Sequence, residues 1–577
     1  MKKIKKSLAL VMALSLSLST LAACGPQGED PTIKVDEGKT QLSVFSYNGG
    51  YGNEWLTEVI KRFEAEYANY EGVNGKIGVQ IIPYANEKTL GSEMLNKATV
   101  RDVVFTESVF YYDWVLDGGD NSKMLDITTA VTTPLTDLNE TQSIYGKMTA
   151  EQQEFFNAGT EANKKIFAVP YRTDIEGIIY DIDLFNDSSL YFAKGGCPSE
   201  FSTFTQANNA DKVSGTFSGT YEYTNLEGAR SAGPDGKYGT DDDGLPATYD
   251  EFFTLCDYMA YSCGITPFTW GGKKTVRSTY LSWLYQQLLA DYEGLSGYTS
   301  YFTYEGTSKN IVQSITDDGV ITFAEETDIS KDGSIISSSA GRYYATKFFE
   351  RLIKNADYYD GLCFNEFQSH MSAQMDYLES KYEKPIAFLI DGIWWENEAT
   401  DTFEDMEIEP SDSRLNRRFG LLPLPKATED KIGEASTYVD THASLCFVNA
   451  DINKDKIDIA EKFVRFCFTN ISNKEFNLKT GCPRAMGGYS LDDNDRQNLS
   501  YFGEMAHKIV TTAPIVAPYG KNDVYKLNVS TYNISTGGEL VCSKNYDSIV
   551  DEFKFGSMTA EQIFRASMNG LDEYFKS

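Results

Sequence analysis

Histidine is nearly absent from this chain: three in 577 residues, at positions 370, 442 and 507. None of His370, His442 and His507 has a partner at metal-ligand or triad spacing, so zinc chemistry and Ser-His catalysis find no support. Basic residues are outnumbered, 52 against 84 acids, for a formal charge of -32. Such a field repels nucleic acid and disfavours anionic polymers as ligands. The nine cysteines are too sparse and irregular for a disulfide framework. Cys256 and Cys263, seven apart on one expected helix, stand about 10 Å apart along its axis, beyond disulfide reach. Buried thiols are the expectation, with Cys197 and Cys482, each in a Gly-Cys-Pro turn, also free. No nucleophile elbow or Walker loop is present, and past residue 23 no stretch is apolar enough to span a bilayer.

What is present begins at the N-terminus. MKKIKK, an apolar run and Leu21-Ala22-Ala23-Cys24 have the form of a charged n-region, an h-region and a small-residue cleavage site. A cysteine directly after the site matches a bacterial lipobox, whose cysteine is diacylated, and two acyl chains anchor stably. Residues 1–23 therefore read as a lipoprotein signal peptide and Cys24 as the lipidation site, on the outer face of a bacterial cell membrane. Residues 24–40 hold almost nothing to bury and read as a flexible tether. The body beyond is rich in aromatics, with 37 Tyr, 34 Phe and 6 Trp, and is long enough for two lobes.

Along that body, QLSVFS (41–46) alternates as a strand, and NEWLTEVIKRFEAEY places Leu56, Val59, Ile60, Phe63 and Tyr67 on one helical face. KIGVQIIPY is a second strand, ANEKTLGSEMLNKA a second helix and DVVF (102–105) a third strand. This β-α-β-α-β order requires a mostly parallel, helix-covered sheet, in which ligands bind beyond the carboxyl ends of the strands. Those ends carry Tyr47-Asn48-Gly49-Gly50-Tyr51 and Thr106-Glu107-Ser108, followed by Tyr111, Tyr112 and Trp114, a convergence of amides, acids and rings. Further on, a strand ends at Pro170, a polar link follows, and IIYDIDLF reads as a β-rich run. TYDEFFTLCDYMAYS and GRYYATKFFERLIKNA read as helices, PIAFLID and FGLLPLP as strands, ASTYVDTHASLCFVNA as a strand or strand pair, and DKIDIAEKFVRFCFTN as an amphipathic helix.

FAVPYRTDIEGIIYDIDLF, AFLIDGIWWEN, FGLLPLP, THASLCFVNA and FNLKTGCPRAM, in that order, resemble the family 1 extracellular solute-binding proteins, the maltose-binding-protein-like receptors of carbohydrate ABC importers. The resemblance covers roughly residues 40–490, close in order and loose in identity, with long insertions around 186–245 and 290–335. It implies an α/β, two-lobed periplasmic-binding-protein-like fold of type II, with ligand in the interlobe cleft. The N-lobe would be 41–172 plus 442–487 and the C-lobe 173–441 plus 488–577, with hinge crossings near 173, 440 and 488. It also implies a monomer that captures a sugar by lobe closure and hands it to a membrane permease.

Asp391-Gly392 ends the strand PIAFLID and exposes Trp394 and Trp395; by the resemblance, Trp394 is the stacking platform, because an indole face suits the apolar face of a pyranose. Of two adjacent tryptophans, one is expected in the cleft and one in the core. The resemblance further places Tyr47 and Asn48, Glu107 and Tyr111, and the hinge acid Asp174 at the sugar, with Arg172 beside it for bidentate bonds. Trp270 would enter the second lobe's wall, and Asp391 counts among the cleft acids. Glu107, Asp174, Glu176, Asp391 and Glu396 leave open a glycan-active hydrolase or lyase, and a receptor for a peptide or other solute also stays open. Acids bonding sugar hydroxyls explain the same residues without catalysis, so no catalytic residue or catalytic cofactor is expected. Finally, GPDGKYGTDDDG resembles calcium loops of exported bacterial proteins. Asp235, Asp241, Asp242 and Asp243, with turn glycines between them, are the expected ligands of a structural Ca2+.

Overall fold

A computed structural model describes residues 33–86, 101–107, 111, 122–195, 202–205, 220–303, 305–329, 333–406, 409–441, 444–516, 546 and 548–576. Cys24, the second expected helix beyond residue 86, His442, Tyr112 and Trp114 lie outside the described residues.

Two sheets organise the chain. The first has the spatial order Val79–Asn86, Thr40–Tyr47, Val103–Glu107, Ser444–Val448, Ala168–Val169. Its first three strands run parallel, as the alternation of strands and helices requires, and Ser444–Val448 returns antiparallel against Val103–Glu107. Thr40–Tyr47 buries Leu42 and Val44 on alternate positions, the period-2 pattern of a strand with one face inward. The helix Glu54–Glu66 covers this sheet with Trp55, Leu56, Val59 and Phe63, and Phe63 meets Phe463 of the helix Ile457–Cys467 edge-on at 5.0 Å.

The second sheet has the order Phe419–Leu421, Glu176–Asp181, Ile386–Gly392, Thr266–Thr269. Ile386–Gly392 is buried along its whole length, parallel to Thr266–Thr269 and antiparallel to Glu176–Asp181. A ring stack of Phe252, Phe268, Phe348 and Phe388 fills the core beside it. The run IIYDIDLF is only half strand. Asp181 ends it, its carboxylate accepts the Leu184 amide at 2.9 Å, and Ile182–Asp187 turns into helix. An aspartate at an N-cap wins over β propensity there.

The chain passes from the first sheet to the second through residues 170–175, which are buried, and returns through Asp440–Thr441. These crossings are laced together. The Thr441 amide donates to the Asp174 carbonyl at 3.0 Å, the Asp174 amide to Asp440 Oδ1 at 3.2 Å, and the Arg172 amide to Ser444 Oγ at 3.1 Å. The first insertion forms a three-stranded sheet of Tyr191–Phe192, Thr220–Thr224 and Ser202–Thr205. The second begins within the long helix Lys274–Thr303, which breaks at Gly294 with φ 71°. Among the described residues no helix is long and apolar enough to cross a membrane, and Cys256, Cys363, Cys446, Cys467 and Cys482 are buried free thiols, with Cys263 half-buried and free.

Candidate functional site

At the carboxyl end of Thr40–Tyr47 the chain turns through Gly49, Gly50 and Gly52, with φ of 51°, 80° and 69°, a region open to glycine at little cost. The Asn48 side-chain oxygen takes the Gly52 amide at 2.8 Å, which fixes this turn. Behind it lies a buried charge network. Arg172 is ion-paired to Glu107, and its Nε reaches Asp174 Oδ2 at 3.1 Å. The guanidinium sits 4.2 Å from the Tyr51 ring centre, and the Tyr51 hydroxyl donates to Asp174. Burial, then the Asp174 charge, pushes the Tyr51 phenol far above its ordinary range, so it remains a donor. Burial opposes the Arg172 charge, but Asp174, Tyr51 and Tyr47 together hold the guanidinium above its usual value.

Facing this wall is a second, contributed by three separate segments around the other sheet. Trp394 follows the buried strand Ile386–Gly392 and reaches across, its ring 6.0 Å from Tyr51. From the long helix Lys274–Thr303 come Trp283, edge-on to Trp394 at 6.3 Å, and Tyr280, whose hydroxyl is bonded to the Trp394 side chain. The helix His370–Glu379 supplies His370, stacked on Tyr280 with ring centres 6.0 Å apart. Between the walls is a cavity of about 360 Å3, within the range of small-molecule sites. Tyr47, Gly49, Gly50 and Glu107 form its first side, and Thr279, Tyr280, Trp283, His370, Trp394 and Glu398 its second. The sides touch directly, for the Asn397 side-chain amide donates to the Gly50 carbonyl at 2.8 Å.

The carboxylates of the second wall are ordered by one amide. Gln374 Nε2 donates to Asp391 Oδ2 at 2.9 Å and to Glu398 Oε2 at 2.8 Å, while Glu398 Oε1 lies 3.4 Å from His370 Nε2. Burial, then the Glu398 charge, pushes the Asp391 carboxyl up to about 7. For His370 burial acts downward, but Glu398 prevails and the imidazole is raised. The result is a cleft with aromatic rings on both sides, most of them on the second, and an acid on each wall, Glu107 and Glu398. That arrangement accepts hydroxyl hydrogen bonds and stacks apolar ring faces.

Among solved structures, the chain is similar to a chitin oligosaccharide binding protein, with 12% identity and a TM-score of 0.52 over 93% of this chain and 100% of that one. It is similar to the solute-binding protein RafE in complex with raffinose, at 14% identity and a TM-score of 0.52, over 93% and 99% of the two chains. A third likeness is to a protein from work on xylan utilization by Caldanaerobius polysaccharolyticus, at 12% identity and a TM-score of 0.52, covering 92% and 99%. The fold is that of solute-binding proteins. At these identities the likeness is one of fold, and no family model and no curated protein matches the chain.

Within this solute-binding fold the expected site residues part company. Tyr47, Glu107 and Trp394 line the cavity. Arg172 and Asp174 stand directly behind Glu107, and Asn48 holds the glycine turn. Asp391 is 1% exposed and supports Glu398 from behind. Of the adjacent tryptophans, Trp394 is in the cleft and Trp395 in the core among Tyr377, Phe403, Phe419 and Phe502. Trp270 is also core: it is fully buried and its indole N–H donates to the Cys363 carbonyl at 2.9 Å. Tyr111 is buried too, with its hydroxyl on the Phe156 carbonyl at 3.1 Å. Glu396 pairs with Arg414 and Ser500, out of the cavity. Trp283, Tyr280, His370, Gln374 and Glu398 were not singled out as ligand contacts from sequence. The one available signal was the i, i+3 spacing of Tyr280 and Trp283 just after Trp270-Gly271-Gly272.

The acidic loop lies elsewhere. Asp235 Oδ1 accepts the Lys237 amide at 2.7 Å, Asp242 Oδ2 the Asp235 amide at 2.9 Å and Asp243 Oδ2 the Gly239 amide at 2.7 Å, while Asp241 pairs with Lys508. Among the described residues no group of three or more His, Cys, Asp or Glu is disposed to hold a metal ion.

Proposed function

We propose that this protein captures an oligosaccharide in the cleft between its two sheets and presents it to the membrane permease of an ABC importer. The observation that carries the reading is the meeting of Trp394, Trp283 and Tyr280 with Glu107 and Glu398 across one cavity. Indole and phenol faces take pyranose rings, and the two carboxylates accept from their hydroxyls. The names of the structures it resembles, a chitin oligosaccharide binder and a raffinose complex, support a sugar as cargo. Binding, with no chemical change to the sugar, is the role assigned. The contacts between Gly50, Trp394 and Asn397 are the kind that a hinge motion makes and breaks. Acylation at Cys24 would tether the receptor outside the cell beside its permease, with residues 24–40 as the leash.

The test is a thermal-shift and calorimetric screen of residues 25–577 against raffinose, maltotriose, chitotriose and xylotriose. A ligand that binds only the native state raises the melting temperature by mass action. A rise with at least one sugar, which is recovered unaltered, is expected. No rise with any sugar, or release of a cleaved product, overturns the reading.

A further inference from the structure

The cleft's second wall holds more titratable machinery than stacking and hydroxyl recognition need. Asp391, Gln374, Glu398 and His370 form one unbroken chain, 2.9, 2.8 and 3.4 Å between successive partners. It runs from a fully enclosed carboxyl to the cavity surface, which the half-buried Glu398 and His370 line. It is assembled from three places, the end of Ile386–Gly392, the helix Trp395–Glu398 and the helix His370–Glu379. Because one amide nitrogen donates to both acids, their oxygens are held close together. We propose that sugar capture in this cleft is coupled to proton uptake, with the Asp391–Gln374–Glu398–His370 chain as the proton-holding unit. The proposal rests on the sugar-binding reading.

The argument is one of charge in a closing space. With Asp391 protonated, Glu398 ionised and His370 charged, the chain is neutral overall. Remove those two protons and two carboxylates face one another across a single amide with no cation. The Gly392 amide donates to Asp391 Oδ1 at 2.7 Å, but the other titratable groups turned toward Asp391 supply no cation, for they are Glu176 from the strand Glu176–Asp181 and the Tyr280 phenol from the long helix. Arg172 is committed to Glu107 and Asp174. Closure over a ligand removes water from Glu398 and His370. In the drier site an uncompensated carboxylate pair costs more and a neutral chain less. Burial and Glu398 already hold the Asp391 proton up to about 7 and Glu398 already raises His370, so the coupling falls in the neutral range. The sign follows: affinity is highest at mildly acidic pH and falls as the pH rises through 7, and above that point the protein takes up protons when it binds.

The experiment is calorimetric titration of the soluble chain with the same four trisaccharides at pH 6 and pH 8, each in two buffers of different ionisation heat. With the free carboxyl at about 7, a closed state that holds the Asp391 proton tenfold more tightly makes affinity about fivefold lower at pH 8 than at pH 6. The apparent heat at pH 8 then differs between buffers by the protons taken up. Asp391→Asn, which keeps the shape and cannot titrate, flattens the pH dependence, and His370→Gln reduces it. The wild-type buffer dependence needs no variant, so a folding defect in Asp391→Asn leaves the test intact. Binding of equal strength at both pH values, with no buffer-dependent heat, overturns the proposal and leaves the sugar reading standing. No binding of any sugar at either pH overturns both.

Discussion

Gly50 offers the sharpest mutational test, because two different costs can be separated there. Its φ of 80° is unfavourable for any residue with a Cβ, a strain of about 1–2 kcal/mol. A Cβ at that position would also lie 2.5 Å from Trp394 Cδ1 and 3.0 Å from Cγ. Ordinary carbon contact needs roughly another ångström, so the turn must lift off the indole in Gly50→Ala. Lifting breaks the Asn397 to Gly50 hydrogen bond, about 1 kcal/mol, and loosens the Tyr51–Trp394 ring contact, about another 1 kcal/mol. Strain is present whether the cleft is open or shut, so it lowers stability only. The cross-cleft loss falls on the closed state and weakens sugar binding by about 2 kcal/mol, or roughly 30-fold in Kd. Gly75→Ala is the control. Its φ is 75° and nothing lies within 4 Å of the added carbon, so it shares the strain without the contact. Calorimetry for Kd and thermal melting for stability separate the two terms. Equal sugar affinity in Gly50→Ala and Gly75→Ala would refute the reasoning, because the cross-cleft contact would then play no part in the bound state.

Trp394→Ala is expected to weaken sugar binding by about 2 kcal/mol or more, whereas Trp395→Ala, a cavity in the core away from the cleft, costs about 3–5 kcal/mol of stability and leaves the affinity of the folded fraction unchanged; calorimetry and melting run side by side check the division. Arg172→Gln leaves Glu107 and Asp174 without their buried cation and is expected to cost about 3–5 kcal/mol of stability, read by denaturant titration. The Asp391 carboxyl, raised from 3.8 to about 7 in the fold, contributes stability that is intact below 3.8 and is lost as the pH rises through about 7. Melting curves of the unliganded protein should therefore decline over that window, and less so in Asp391→Asn. The acidic loop's carboxylates already accept from their own backbone amides, so a chelator is expected to leave the melting temperature unchanged. A fall that calcium restores would place a cation there.

Most strands of the two sheets, Thr266–Thr269 excepted, were legible because alternation and glycine-bearing ends are local signals. Thr40–Tyr47, Val103–Glu107 and Ile386–Gly392 lie where the pattern puts them, and the first wall of the cleft follows from their carboxyl ends. The split between Trp394 and Trp395 was legible too, since adjacent residues point different ways. Trp270 and Tyr111 were not, because what buries them is distant: the Trp270 N–H finds its acceptor at Cys363, 93 residues on. The second wall was opaque for the same reason. Tyr280, His370 and Glu398 come from three segments with no common spacing, and only packing against Trp394 brings them together. The helix after Asp181 was hidden by a β-rich composition that one capping carboxylate overrides.

The placement of the tryptophans makes the protein its own optical gauge. Of six in the chain, Trp55, Trp270 and Trp395 are sealed in cores, where their emission is insulated from events in the cleft. Trp283 and Trp394 stand at right angles to each other on the cavity wall, with a phenol, an imidazole and a carboxylate as near neighbours. Water leaving that wall as cargo arrives changes the surroundings of these two indoles and leaves the sealed three as a constant background. Intrinsic fluorescence, with no label attached, should therefore report occupancy of the cleft in real time.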